Sequence, residues 1–348
     1  MNVIFKESME DDCRALKEEF FNKLLYGGIL QPFVELVSKD ERLEMCFRGN
    51  AKSNQTVSIY YKNHQMLKIY DTGKLEFNYN HVRYCPEEKE KEYRTKLKEF
   101  GFVINDKYNS KGEKDIEYVT RTMRGKEILT LNKIEVLVND VLIPMFDDFF
   151  DVNMTYDYFK NAIKKSKGEL AEKIDQQILF TKMKNSKNGF FFYDMEIAKK
   201  HENKVELQND KFNNKADMMA VEFDSNGNPI TLLFVEVKSK KSAFAGKSGL
   251  NEHINKMKMI TEEEFKNRKK EAFKVINQYH QLGLRKVDCI ENCCYDKMMQ
   301  MEKGMLIVLS REAIGYWEKY EKSSPYKFEK CFNESNEFSL YRVIDEIK

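Results

Sequence analysis

Residues 216–239 constrain the fold more than any other stretch of this chain. Two apolar runs, Ala216 to Phe223 and Ile230 to Ser239, flank the polar sequence Asp224-Ser225-Asn226-Gly227-Asn228-Pro229. An Asn-Gly step between two such runs is the strongest short-range signal for a β-hairpin, because a two-residue type I′ turn needs positive φ at both central positions. With Asn226 and Gly227 at those positions, Ser225 pairs with Asn228 and Asp217 falls directly opposite Glu236. Opposed residues share a face with Cβ atoms ~4.5–5.5 Å apart, and Lys238, two residues beyond Glu236, points the same way. Two carboxylates and an ammonium are thus expected to converge on strands that otherwise read as buried. Such a cluster is costly unless something neutralises it. A hard divalent cation does so, since Mg²⁺ takes oxygen ligands and keeps waters, one of which can serve as a nucleophile.

The flanking pattern places this hairpin in a larger sheet. Gly189 to Ala198 reads as a strand before it, and Met305 to Leu309 as a buried strand after it. Between lie two helical patterns, Leu250 to Lys258 and Thr261 to Leu282, the second opened by a Thr261/Glu264 capping box. Strands, then helices, then a returning strand predict a mixed sheet flanked by helices, an α/β arrangement. The N-terminal part has a different rhythm. Period-two segments at Leu43–Phe47, Val57–Tyr61, Met66–Tyr70 and Leu75–Phe77, with a turn at Asp71-Thr72-Gly73, predict an antiparallel meander, preceded by a helix over 8–26 that Gly27 stops. Pro86 opens a charged helix that Gly101 closes, and residues 115–184 are expected to be mostly helical. An α+β module over 1–155 and a second domain over 156–348 result.

Composition bounds the functional classes. The 348 residues carry 59 Lys+Arg against 57 Asp+Glu, which excludes a polycation or an acidic tail protein but leaves room for a local basic groove. After residue 150 the balance is 35 basic against 31 acidic. Aromatics at 13% with 5 Pro indicate an ordered globular chain. No apolar run approaches the ~18–20 residues that span a bilayer, and Met1 to Asp12 has no leader-like pattern. The 7 cysteines are odd in number and scattered, as expected of reduced thiols in the cytoplasm, with buried free thiols favoured over zinc at Cys289-x3-Cys293-Cys294. The aromatics Tyr60, Tyr61, Tyr70, Phe77 and Tyr79 are expected in the core, with a recognition surface as the alternative. His201, His253 and His280 are isolated and expected to be surface or packing residues.

On these residues the C-terminal half resembles the PD-(D/E)xK nuclease superfamily, the restriction-endonuclease-like fold. The resemblance rests on Asp217-x18-Glu236-Val237-Lys238, carried on a hairpin followed by helices; it covers roughly residues 168–310 and stops short of the N-terminal module. Ala216 stands where the signature has proline, a position that varies among such nucleases. The resemblance implies Asp217 and Glu236 as ligands of Mg²⁺ or Mn²⁺, the Val237 carbonyl as a further oxygen, and Lys238 as the catalytic lysine. It also implies an additional acid from the first helix or strand, Glu169, Glu172 or, preferred, Glu196, and a glutamine on the later helix, Gln278. A lone Glu-x-Lys is ordinarily a surface ion pair. Here the opposed Asp, the apolar flanks and the downstream elements set it apart.

From 238 to 258 there are 6 lysines against the single acid Glu252. Lys240, Lys241 and Lys247 are therefore expected to contact a nucleic-acid backbone, with a solvated loop as the bland alternative. The resulting expectation is a Mg²⁺-dependent endodeoxyribonuclease acting on DNA, of the kind found in restriction or antiviral defence, working as a homodimer or with a partner protein. The competing expectation is an inactivated nuclease fold that serves as a nucleic-acid-binding or protein-interaction subunit.

Overall fold

The computed structural model describes residues 14–48, 55–61, 64–78, 87–108, 114–121, 130–151, 169–183, 189–195, 216–239, 244, 249–334 and 338–344. The chain divides into two compact units between residues 164 and 165, with residues 281–284 grouped with the first. That division, like the expected boundary at 155, lies outside the described residues.

The first unit contains α1 (Glu18–Asn22), α2 (Gln31–Lys39), β1 (Leu43–Arg48), β2 (Thr56–Tyr61), β3 (His64–Tyr70), β4 (Leu75–Asn78), α3 (Glu87–Glu99), β5 (Val103–Tyr108) and β6 (Lys114–Arg121). It ends with α4 (Leu131–Leu137), a π turn over Val138–Leu142, and α5 (Ile143–Asp151). Its sheet has the order β1-β2-β3-β4-β6-β5 with every pair antiparallel. The first four strands form the expected meander, and Gly73 at φ 81° makes the turn between β3 and β4. The expectation of helix from residue 115 fails at β6, whose residues Ile116, Tyr118, Val119 and Thr120 are β-branched or aromatic types that pack well on a pleated surface. Tyr60, Tyr61 and Phe77 are buried, so they belong to the core and offer no stacking surface. Tyr70 is half-buried and donates its hydroxyl to Glu76 at 3.0 Å, while Tyr79 lies outside the described residues.

The second unit contains α6 (Glu169–Lys182), β7 (Phe190–Met195), β8 (Met218–Phe223), β9 (Pro229–Lys238), α7 (Leu250–Lys258), α8 (Glu262–Gln281), α9 (Tyr295–Gln300), β10 (Glu302–Ser310), α10 (Arg311–Ser323), β11 (Phe328–Glu334) and β12 (Phe338–Val343). They build a mixed sheet of order β11-β12-β10-β9-β8-β7 in which β9 and β10 run parallel and the other pairs antiparallel. A parallel pair needs a long crossover, and here it carries α7, α8 and α9. Residues 232–238 of β9 and 304–310 of β10 are buried without a break, the pattern of strands covered on both faces. The capping box forms at α8: the Thr261 amide donates to Glu264 Oε2 at 2.9 Å and the Glu264 amide to Thr261 Oγ1 at 3.2 Å.

Arg285, 1% exposed, joins two elements of this unit. Its guanidinium donates to the Phe180 carbonyl near the C-terminal end of α6 (2.9 Å) and to the Phe192 carbonyl (3.1 Å), and it stacks 3.5 Å from the centroid of the Phe180 ring. Helix C-termini leave carbonyls without intrahelical donors, and the β7–β8 ladder slips between Phe192 and Asp194. One cation thus serves a helix end and a bulge together. Phe244 packs against Trp317 and Tyr320 of α10 with ring centroids 6.1 and 5.2 Å apart. Trp317 in turn meets Phe328 of β11 and Tyr341 of β12. Among the described residues no helix is long and apolar enough to cross a membrane.

The tip of the β8–β9 hairpin departs from the expected two-residue turn. Asp224 accepts from the Gly227 amide (3.0 Å) and donates its own amide to the Asn228 carbonyl (2.9 Å), so the loop holds three residues, with Gly227 at φ 73°. The Asp224 carboxylate organises it by accepting from the amides of Asn226 and Asn228 at 2.9 and 2.8 Å. A Cβ at Gly227 would lie 2.7 Å from Cys289 Cβ. Gly227→Ala should therefore lower unfolding stability by about 1–2 kcal/mol through the left-handed backbone alone, and more through the clash. Gly315→Ala in α10, where nothing lies within 4 Å of the new methyl, should raise it by roughly 0.5–1 kcal/mol. Urea titrations of the two variants check both signs, and equal effects would contradict this account of the hairpin tip.

Candidate active site

The register of β8 on β9 sets the site. Met218 pairs with Val235, and the ladder continues regularly to Glu222 opposite Thr231; at the turn end Phe223 pairs with Pro229. The extra residue of the turn is offset by Ile230, which bulges out of the ladder. The register beyond is therefore the one the Asn-Gly reading gave, and continued by one step it sets Asp217 opposite Glu236.

The three residues meet where β8 begins and β9 ends. Glu236, 1% exposed, and Lys238, 3% exposed, lie on one face of β9 with Lys238 Nζ 2.5 Å from Glu236 Oε1. Asp217 is half-buried and turns its carboxylate to the strand edge, where Oδ2 accepts from the Val237 amide at 2.8 Å. The N–H and C=O of one strand residue point to the same edge. The Val237 carbonyl therefore emerges on the side of Asp217.

Two further side chains reach the same strand end. His253 of α7 places Nδ1 3.0 Å from Glu236 Oε1. Ser239, immediately after β9, donates its hydroxyl to Asp175 Oδ2 of α6 at 2.5 Å. The expectation of His253 as an isolated surface or packing residue is thus corrected. Asp175 was likewise missed: it lies 64 positions from Ser239, and no local pattern distinguishes it from other acids on that helix. The expected additional acid Glu196 lies outside the described residues, as do Lys240, Lys241 and Lys247. Glu169 and Glu172 belong to α6, six and three positions before Asp175. Gln278 is half-buried on α8, beside the buried Tyr279.

No family model, curated protein or solved structure matches the chain. What the site can do therefore rests on its own geometry.

Burial raises the cost of charge on Glu236, and this is the largest single influence on it. The His253 hydrogen bond, the Lys238 charge and their remaining interactions together outweigh it and hold the carboxyl below its ordinary value. Glu236 is thus an anion in a buried place. Both nitrogen contacts fall on Oε1, while the buried Oε2 has no hydrogen-bond partner among the described residues. An ionised oxygen left without a donor is expensive, and it is an available ligand. With Asp217 and the Val237 carbonyl nearby, the donors are all oxygens, the chemistry of Mg²⁺ or Mn²⁺. Among the described residues no three His, Cys, Asp or Glu side chains already form a metal-binding group. Of the clustered cysteines, Cys293 is buried, its thiol pushed up to about 12 chiefly by burial, and Cys294 is exposed.

Because the folded Glu236 carboxyl is held below its ordinary 4.5, its contribution to stability is fully present above pH 4.5 and is lost as pH falls through the lower folded value. Replacing both charges, Glu236→Gln with Lys238→Met, should flatten that acid limb. Urea unfolding at several pH values below neutrality measures it, and a slope equal to the wild type's would contradict the assignment.

Proposed function

We propose that the second unit is a restriction-endonuclease-like domain of the PD-(D/E)xK type that hydrolyses phosphodiester bonds in DNA with Mg²⁺ or Mn²⁺. The observation that carries this reading is the buried, ionised Glu236 carboxylate with Oε2 unmet, at a strand end shared with Asp217 and Lys238. Asp217, Glu236 and the Val237 carbonyl would hold the ion. Once bound, the ion supplies Lewis-acid activation of water and of the phosphate. Lys238, whose ammonium sits on the Glu236 carboxylate, is placed to orient a water molecule and to offset negative charge developing on phosphorus oxygens. Asp175, bridged to Ser239, takes the place anticipated for an additional acid from the first helix. Lys240, Lys241 and Lys247 would supply a contact to the nucleic-acid backbone, and Phe244, which lies among them in sequence, packs on Tyr320 of α10. The first unit is the part available for targeting or restraint, as in restriction or antiviral defence, a step made by analogy.

One observation favours a second reading, a non-catalytic nucleic-acid-binding or interaction subunit. The Glu236–Lys238 pair is closed at 2.5 Å and satisfies Oε1 without any ion. Cleavage assays separate the two. On plasmid, linear and single-stranded DNA, wild type should cut only with Mg²⁺ or Mn²⁺, and Asp217→Ala, Glu236→Ala and Lys238→Ala should each lose on the order of 10²–10⁴-fold in rate. Cutting that persists in all three variants means the site is elsewhere. Nucleic-acid binding without cleavage, together with no metal uptake in calorimetry, establishes the second reading.

A further inference from the structure

Glu236 receives its two nitrogen contacts in an uneven way. Lys238 approaches Oε1 from the same strand at 2.5 Å, and His253 approaches the same oxygen from α7 at 3.0 Å. Oε2, equally buried, has no hydrogen-bond partner among the described residues. In a buried setting a carboxylate lowers its energy by sharing donors between both oxygens, because each unmet lone pair has forfeited water. Crowding both donors onto one oxygen therefore fixes the side chain's rotation and leaves the other oxygen for a different charge. His253 is well placed to enforce this. It is only 26% exposed, and Leu250, Ile254 and Met257 of the same helix are buried, so α7 delivers the imidazole from a packed element.

We propose that His253 is a positioning residue for the divalent ion: with Lys238 it occupies Glu236 Oε1, so that Glu236 binds the ion through Oε2 alone. The inference rests on the metal-dependent reading above and adds a statement about which ions the site accepts. Mg²⁺ and Mn²⁺ take near-octahedral shells in which a carboxylate contributes one oxygen, whereas the larger Ca²⁺ readily accepts both oxygens of one carboxylate. A carboxylate locked to one-oxygen binding selects the smaller ions. Released from His253, Glu236 can rotate and chelate, and the selection weakens.

Calorimetry of the full chain with Mn²⁺, Mg²⁺ and Ca²⁺ tests this, comparing wild type with His253→Ala and with His253→Asn, whose amide nitrogen is bonded to Cγ as Nδ1 is and retains an N–H donor of the same reach. The alanine variant should bind Mn²⁺ and Mg²⁺ about tenfold more weakly, with Ca²⁺ affinity unchanged or increased, so that the preference for the small ions falls. The asparagine variant should recover most of both losses, which a merely structural role would not predict. Metal-free thermal melts establish that each variant is folded, and His253→Leu, similar in bulk and lacking a donor, replaces the alanine variant if that one is not. Electron spin echo spectra of bound Mn²⁺ should lack the coupling of a directly bound imidazole nitrogen. If that coupling is present, His253 is itself a ligand and the positioning role is wrong. Should a donor-free variant keep wild-type affinities and ion preference, His253 has no such role and the nuclease reading stands without it. Absence of ion uptake by the wild type overturns both.

Discussion

A carboxylate and an ammonium buried two residues apart on one face of β9 set the terms for the second unit. Removing two charges from water costs several kcal/mol each, and losing one partner of such a pair typically destabilises by roughly 3–5 kcal/mol. The fold meets that cost by bringing donors from separate elements to one strand end: Lys238 from β9 itself and His253 from α7, while Asp217 caps the edge at Val237. Neighbouring β10 adds only apolar side chains at the matching positions, Ile307 beside Glu236 and Leu309 beside Lys238. On that side of β9 the charges meet apolar neighbours.

That arrangement needs a rigid frame, and two contacts remote from the strand end provide it. Arg285 ties α6 to β7, so the helix that carries Asp175 is braced against the sheet at its far end. At the opposite end of the hairpin, Lys297 of α9 donates to Asn228 (2.8 Å) and Asn292 to the Asn226 carbonyl (3.0 Å), which holds the loop against α9 and the segment before it. A hairpin pinned at its tip cannot slip by a residue without breaking these bonds. Register is what places Asp217 and Glu236 together, so the tip contacts bear on the site from the far end of the strands.

Much of this was legible in the sequence, unevenly. The pairing of β8 with β9 followed from the apolar runs and the Asn-Gly step, although the turn has a different form; Ile230 bulges and restores the register that the Asn-Gly reading gave. The buried polar pair was legible because strand periodicity is local. His253 and Asp175 were not, because their approach to β9 depends on the path of a crossover and on the packing of a preceding helix, and neither leaves a mark in nearby residues. β6 was misread as helix although Asp115-Ile116-Glu117-Tyr118 alternates polar with apolar residues as a strand does, and its partners are β4 and β5.

Trp317 is the chain's single tryptophan, and it stands in the aromatic cluster that receives Phe244. Phe244 itself packs on this indole, so the one strong natural fluorophore reports on a side chain six residues beyond Lys238. Any event that moves that ring or frays α10 changes the environment of the indole. The emission of the unlabelled protein is in this sense a built-in gauge of the contact between Phe244 and Trp317.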